Sequence, residues 1–163
     1  MGVGVTVQAD SILLVEASGT AAGVYTGTVA LPPNATLIDV IVHAEALWTA
    51  GTSATLKVGD GTDDDGFFIG VNLKATDLLA GESISMAHTG NKKGADIDFF
   101  TQTVNSAVID DPALQHVRRR MLTAARSVKA ICTTVGTVGT AGRTRVTVVY
   151  AMPQDTIAAF VAT

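Results

Sequence analysis

Apolar and polar residues alternate with a period of two along most of this chain, the spacing of strands whose two faces meet different surroundings. Val3, Val5 and Val7 begin the pattern, and Ile12–Ala17 adds a short apolar run. Val24–Leu31 (VYTGTVAL) is rich in β-branched residues. Pro32-Pro33-Asn34 stops it, because proline cannot donate to a strand ladder. The strongest segment is LIDVIVHAEALW, Leu37–Trp48. Strict alternation puts Leu37, Asp39, Ile41, His43 and Glu45 on one face. Ile38, Val40, Val42, Ala44, Ala46 and Trp48 form the other, apolar face, and a bulge near Ala44–Ala46 would move that register. ATLKV (Ala54–Val58) and FFIGVNL (Phe67–Leu73) are two further strands.

The middle of the chain is weaker in pattern. TDLLAGE (Thr76–Glu82) reads as one helical turn ended by Gly81, or as a loop with buried leucines. Met86–Asp98 reads as a long loop, and Asp98–Val108 holds one weak strand. DDPALQ (Asp110–Gln115) has Asp-Pro turn chemistry, with helical continuation toward Arg118. Met121–Ala125 and Ser127–Thr134 read as strands. The glycine-threonine connection TVGTVGTAG then leads to RTRVTVVY (Arg143–Tyr150), which is expected to form a hairpin with Ser127–Thr134. Eight to ten strands without alternating helices predict an all-β fold: a single antiparallel β-sandwich, jelly-roll-like, with extended N- and C-terminal arms. Residues 1–11 form the N-terminal arm, 12–152 the core and 153–163 the C-terminal tail.

The 163 residues suffice for one domain with a real core. Hydrophobic residues make up 47%, aromatics only 5% and charged residues 16%, well under the roughly 25% of ordinary soluble domains. With a mean hydropathy of +0.37, that composition describes a surface of small, weakly polar residues or one covered by partners. A net charge of −4 argues against a nucleic-acid partner. No apolar run approaches the roughly 18 residues of a membrane span, so no membrane partner is expected. MGVGVT fits a loose myristoylation pattern without a polybasic second signal, and lipidation is not expected. Cys132 is the only cysteine, which excludes an internal disulfide; within Val128–Thr134 it reads as a small buried hydrophobe.

One stretch invites a chemical reading. VGDGTDDDGFFIG, Val58–Gly70, holds four aspartates and four glycines. Counted from Asp60, an EF-hand would need glycine at the sixth position and glutamate at the twelfth. Asp65 and Val71 stand there instead. Asp60, Thr62 and Asp64 are the oxygen donors a looser Ca²⁺ loop would use; the alternative is an acidic hairpin turn with glycines supplying positive φ. Adjacent aspartates on one turn do not preset the two-sided geometry of a glycosidase pair. His43, His88 and His116 form no zinc spacing, and His43 reads as a surface residue. No nucleophile elbow, Walker loop or dinucleotide fingerprint occurs, and Gly136–Gly142 has hairpin chemistry rather than that of a phosphate cradle. No catalytic residue and no cofactor is assigned. Arg118-Arg119-Arg120 is the one basic cluster and a candidate contact for an acidic partner.

The segment LPPNATLIDVIVHAEALWTAGTSATLKVGDGTDDDGFF (Leu31–Phe68), together with GRTRVTVVYA (Gly142–Ala151), resembles structural proteins of tailed-phage particles. The resemblance covers about half the chain and implies a capsid decoration, or cement, protein. It implies a jelly-roll-like fold, the major capsid protein as partner, a homo-oligomer with a trimer favoured, and no enzymatic activity. Its place would be the capsid exterior of the virion, after synthesis in the cytoplasm of a bacterial host. A tail, connector or head-fibre part is the next reading, and a secreted β-sandwich module binding glycans or Ca²⁺ a more distant one. Trp48, Tyr25 and Tyr150 look too few and too strand-embedded for sugar stacking. The arms, Met1–Ser11 and Gln154–Thr163, are the segments expected to reach toward neighbours.

Overall fold

The computed structural model describes residues 5–16, 23–88, 92, 94, 97–104, 107–117 and 123–153; side chains are excepted in 97–117 and at His88 and Pro153. Among these residues ten strands follow in order: β1 (Val5–Val15), β2 (Val24–Leu31), β3 (Thr36–Ala46), β4 (Ser53–Asp60), β5 (Phe68–Asn72), β6 (Ser83–Ser85), β7 (Ile97–Val104), β8 (Ala107–Val117), β9 (Arg126–Val135) and β10 (Arg143–Pro153). A 3-10 turn, Met86–His88, follows β6, and no α-helix occurs among the described residues.

Two four-stranded antiparallel sheets form a β-sandwich. Sheet A has the order β1-β10-β3-β6 and sheet B the order β2-β9-β4-β5. Strands that follow one another mostly change sheet, so each sheet is assembled from segments far apart in sequence. The alternation explains the core directly. Ile12, Leu14, Val40, Val42, Val146 and Val148 point inward from sheet A, and Val29, Leu31, Leu56, Val58, Val128 and Ala130 meet them from sheet B. Full burial of one such side chain stabilises by about 1.5–3 kcal/mol. On the flank shared by β1 and β2, a Cβ on Gly27 would overlap Ile12, so glycine there lets the two edge strands close together.

β3 corrects the simple alternation. Val40, Val42 and Ala44 face inward as the period predicts. Leu37, however, is fully buried while Ile38 is 39% exposed. The β10–β3 register explains the reversal: Val149 stands opposite Asp39 but Tyr150 opposite Leu37, leaving Ile38 as an extra residue in a bulge. A second irregularity skips Glu45, where Arg143 pairs with Ala46 and Thr144 with Ala44, inside the expected Ala44–Ala46 region.

Four expectations for the later chain are corrected. Ser127–Thr134 and Arg143–Tyr150 are not a hairpin: β9 lies between β2 and β4 in sheet B, and β10 between β1 and β3 in sheet A. Their connection spans the roughly 10 Å between packed sheets instead of turning within one. Asp98–Val108 is not one weak strand, because β7 and β8 form a two-stranded hairpin. Asp110–Gln115 continues as strand rather than helix; Pro112 sits where the register jumps from Phe99–Gln115 to Phe100–Asp111, a place that needs no donor. Thr123–Ala125 lies outside any strand. Thr76–Glu82 is a loop with Leu78 buried and Leu79 53% exposed, ended by Gly81 at φ 88°.

Candidate interaction surface

The acidic stretch joins β4 to β5, with Leu56 opposite Val71 and Val58 opposite Phe68. Its aspartates have different tasks. Asp60 is buried, and its Oδ1 accepts the backbone N–H of Thr62 at 2.7 Å and of Asp63 at 3.1 Å. The Asp60 N–H donates to the Asp63 carbonyl at 2.7 Å. The turn is therefore closed from inside by its first aspartate, the role short polar side chains take in tight turns. Gly59 is required by close approach: a Cβ there would run into the Asp63–Asp65 backbone.

The carboxylates drawn together are Asp63, Asp64 and Asp65, with ligand oxygens within 4.8 Å of one another. Of the three sequence candidates, Asp64 belongs to this group, and Asp60 lies outside it. The Lys57 ammonium faces the group, 2.9 Å from Asp65 and 3.7 Å from Asp64. That contact holds the Asp65 carboxyl below its ordinary range and raises Lys57. Beside the turn, a cleft of about 540 Å³ is lined by Asp60, Gly61, Thr62 and residues 124–127.

A second carboxylate, which the sequence did not single out, does more structural work. Glu16 at the end of β1 is 3% exposed. Its Oε1 accepts the Ala50 N–H at 2.9 Å; its Oε2 accepts the Thr49 N–H at 2.9 Å, the Thr49 hydroxyl at 3.0 Å and the Gly142 N–H at 3.0 Å. Thr49 Oγ1 in turn accepts the Thr140 N–H. Burial pushes the Glu16 carboxyl up, but the hydrogen bonds from Thr49, Gly142 and Ala50 outweigh it and hold the group below its ordinary value. The only local signal was a glutamate closing an apolar run. Its partners lie 33 to 126 residues away, so no motif could reveal them.

The outer face of sheet A divides into two ends. At one end Glu45 accepts from Arg143 Nε at 2.5 Å and Arg145 Nε at 2.6 Å, and these arginines hold its carboxyl low. His43 is half-buried there, with Nδ1 2.7 Å from Ser83 Oγ and Nε2 3.2 Å from Thr147 Oγ1. Nearby, Ser85 Oγ donates to both Asp39 oxygens. At the other end the described outward residues of β1 are apolar. Val5, Val7 and Ala9 of β1 stand opposite Pro153, Ala151 and Val149 of β10. Val5 is 63% and Val7 60% exposed.

Cys132 is fully buried, and burial, with the Glu16 charge nearby, pushes its thiol up to about 12. Trp48 and Tyr150 are buried, and Tyr25 meets the Trp48 ring edge-on with centroids 5.0 Å apart. Arg118, Arg119 and Arg120 lie outside the described residues, as do residues 1–4 and 154–163 of the two arms. His116 falls within β8 and His88 closes the 3-10 turn.

No family model matches the chain, and no curated protein matches it. Solved structures do. A chain of the cyanophage Pam1 capsid asymmetric unit is 18% identical with a TM-score of 0.52, over 93% of this chain and 87% of that one. A chain of the acid-stable capsid of Helicobacter pylori bacteriophage KHP30 is 14% identical at TM-score 0.46, over 91% of this chain and 94% of that one. One from the capsid of Ralstonia phage GP4 is 20% identical at TM-score 0.46, over 92% and 84%. At such identity the first likeness is one of fold.

Proposed function

We propose that this chain is a structural protein of a tailed-phage particle, one that decorates and stabilises the outer surface of the capsid by bridging neighbouring capsomers. Its partners are the major capsid protein and further copies of itself, with a trimer favoured. The observation that carries the reading is a fold shared along 93% of the chain with a chain of a phage capsid asymmetric unit. Leu31–Phe68 supports it from the sequence side, and the strand order β1-β10-β3-β6 over β2-β9-β4-β5 supports a jelly roll.

The mechanism is contact without bond chemistry. Small interfaces, repeated by symmetry around a shell, sum to strong attachment. The outer face of sheet B suits such contact. Thr26, Thr28, Thr55 and Thr133 populate it together with Lys57 and Lys129. Arg118–Arg120 would add carboxylate contacts to the shell.

Purified protein mixed with particles stripped of it should rebind, approach the copy number of the major capsid protein, and raise the particle's melting temperature. Failure to rebind refutes the proposal. Rebinding at only a few copies per particle would point instead to a tail, connector or head-fibre role.

A further inference from the structure

The outer faces of the two sheets treat their polar side chains differently. On sheet A these side chains answer one another. Arg143 and Arg145 hold Glu45, Ser85 donates to Asp39, and His43 lies between the hydroxyls of Ser83 and Thr147. On sheet B the register sets three outward rows across β2, β9 and β4: Val24–Thr133–Thr55, Thr26–Ile131–Lys57 and Thr28–Lys129–Gly59. Val24, Thr26, Thr28 and Thr133 are exposed, and Lys129 is half-buried. Lys129 makes no hydrogen bond or ion pair among the described residues.

The acidic turn brings the opposite charge to the same face. Gly59 stands opposite Lys129, and the Cβ it lacks would run into the Asp63–Asp65 backbone. The turn therefore folds over the end of that row, at the height of the neighbouring side chains. Lys57 is committed to Asp65 at 2.9 Å. Asp64 stands 3.7 Å from Lys57, beyond hydrogen-bond reach, with its side chain 57% exposed. One surplus cation and one under-used carboxylate thus lie on adjacent strands of one face.

We infer that the outer face of sheet B packs on the same face of a second copy about a twofold axis, with Lys129 of each copy meeting Asp64 of the other. This names a contact between the copies that the proposed function calls for, and it rests on that reading. A twofold contact needs one patch that carries both halves of every pair, and this face does. An axis running along the strands between β9 and β4 lays β9 of each copy on β4 of the other. Lys129 then arrives over Gly59, where the Asp63–Asp65 turn lies. The other rows set Thr133 on Thr55 and the Ile131 side chain on the Lys57 stem. Four strands about 4.8 Å apart, with β2 and β4 of eight residues each, give a face of roughly 500 Å². A standard interface takes roughly 800 Å² from each partner, so one such pair is weak alone and gains by repetition on a shell. The contact joins copies whether or not a threefold ring forms through another surface.

The test is sedimentation equilibrium of the full-length protein over a concentration series. Its mass should double reversibly as concentration rises, and added salt should oppose the doubling. Lys129→Asp and Asp64→Lys should each weaken the doubling by about tenfold, with the circular dichroism spectrum kept. The combined Lys129→Asp/Asp64→Lys variant should restore it, because both halves of each pair are exchanged together. A carbodiimide should also link Lys129 to Asp64 in the unaltered protein. When isotope-labelled and unlabelled protein are mixed, the linked peptide should carry one half from each. No doubling, doubling that ignores the single substitutions, failure of the combined variant to restore it, or a link formed only within one copy overturns the inference. These readouts need no phage particle, so they succeed or fail separately from the rebinding experiment.

Discussion

Glu16 and the Asp63–Asp65 trio are both negative charge at a strand end, and they have opposite fates. Glu16 is enclosed and accepts four hydrogen bonds from two separate connections, one after β3 and one before β10. The trio stands on one turn, half in water, faced by a lysine that is itself substantially exposed. Density of charge in a sequence therefore says little about where charge does structural work. A single carboxylate becomes a keystone when buried donors converge on it, because removing it strands all of them. Three carboxylates in water lose little when one goes.

The sharpest way to break this contrast is Glu16→Gln. The amide keeps the shape but loses the charge and presents N–H groups where acceptors are needed. We expect a loss of about 3 kcal/mol, read as a lower urea midpoint at unchanged slope. Titration sharpens the point. Because the folded Glu16 pKa is depressed, its contribution is complete above the unfolded value near 4.5 and disappears as pH falls through the folded value. The stability of the native protein should thus fall more steeply below pH 4.5 than that of Glu16→Gln. Equal slopes would mean that Glu16 is not the keystone.

Asp60→Ala comes next. It strands the Thr62 and Asp63 amides and should cost about 1–2 kcal/mol, with faster hydrogen exchange confined to residues 61–65. The smallest effect belongs to Lys57→Met, which should change stability by less than about 0.5 kcal/mol because its ion pairs are solvent-screened. A Lys57→Met loss comparable to that of Glu16→Gln would erase the distinction between the two carboxylate groups.

The same distinction governs what the sequence could reveal. The acidic turn was legible because all its determinants lie within a few residues: Asp60, Gly59 and the flanking apolar runs. The buried face of β3 was legible from Val40 to Ala44 for the same reason. The bulge at Ile38 was not, since it depends on how Tyr150, over a hundred residues away, pairs with Leu37. Ser127–Thr134 and Arg143–Tyr150 were paired wrongly because neighbours in sequence are usually neighbours in space. Here each is already flanked on both sides by other strands. Glu16 escaped notice because one glutamate has no pattern.

Trp48 is the only tryptophan in the chain. Its Nε1 donates to the buried Thr144 hydroxyl at 2.8 Å, and its backbone neighbours Thr49 and Ala50 are the donors that hold Glu16. Gly142, which also donates to Glu16, leaves no room for a Cβ beside the indole. The protein thus carries a built-in optical gauge at the junction that Glu16 closes. Emission from this one indole reports whether the joint between the sheets is dry or flooded, without any added label.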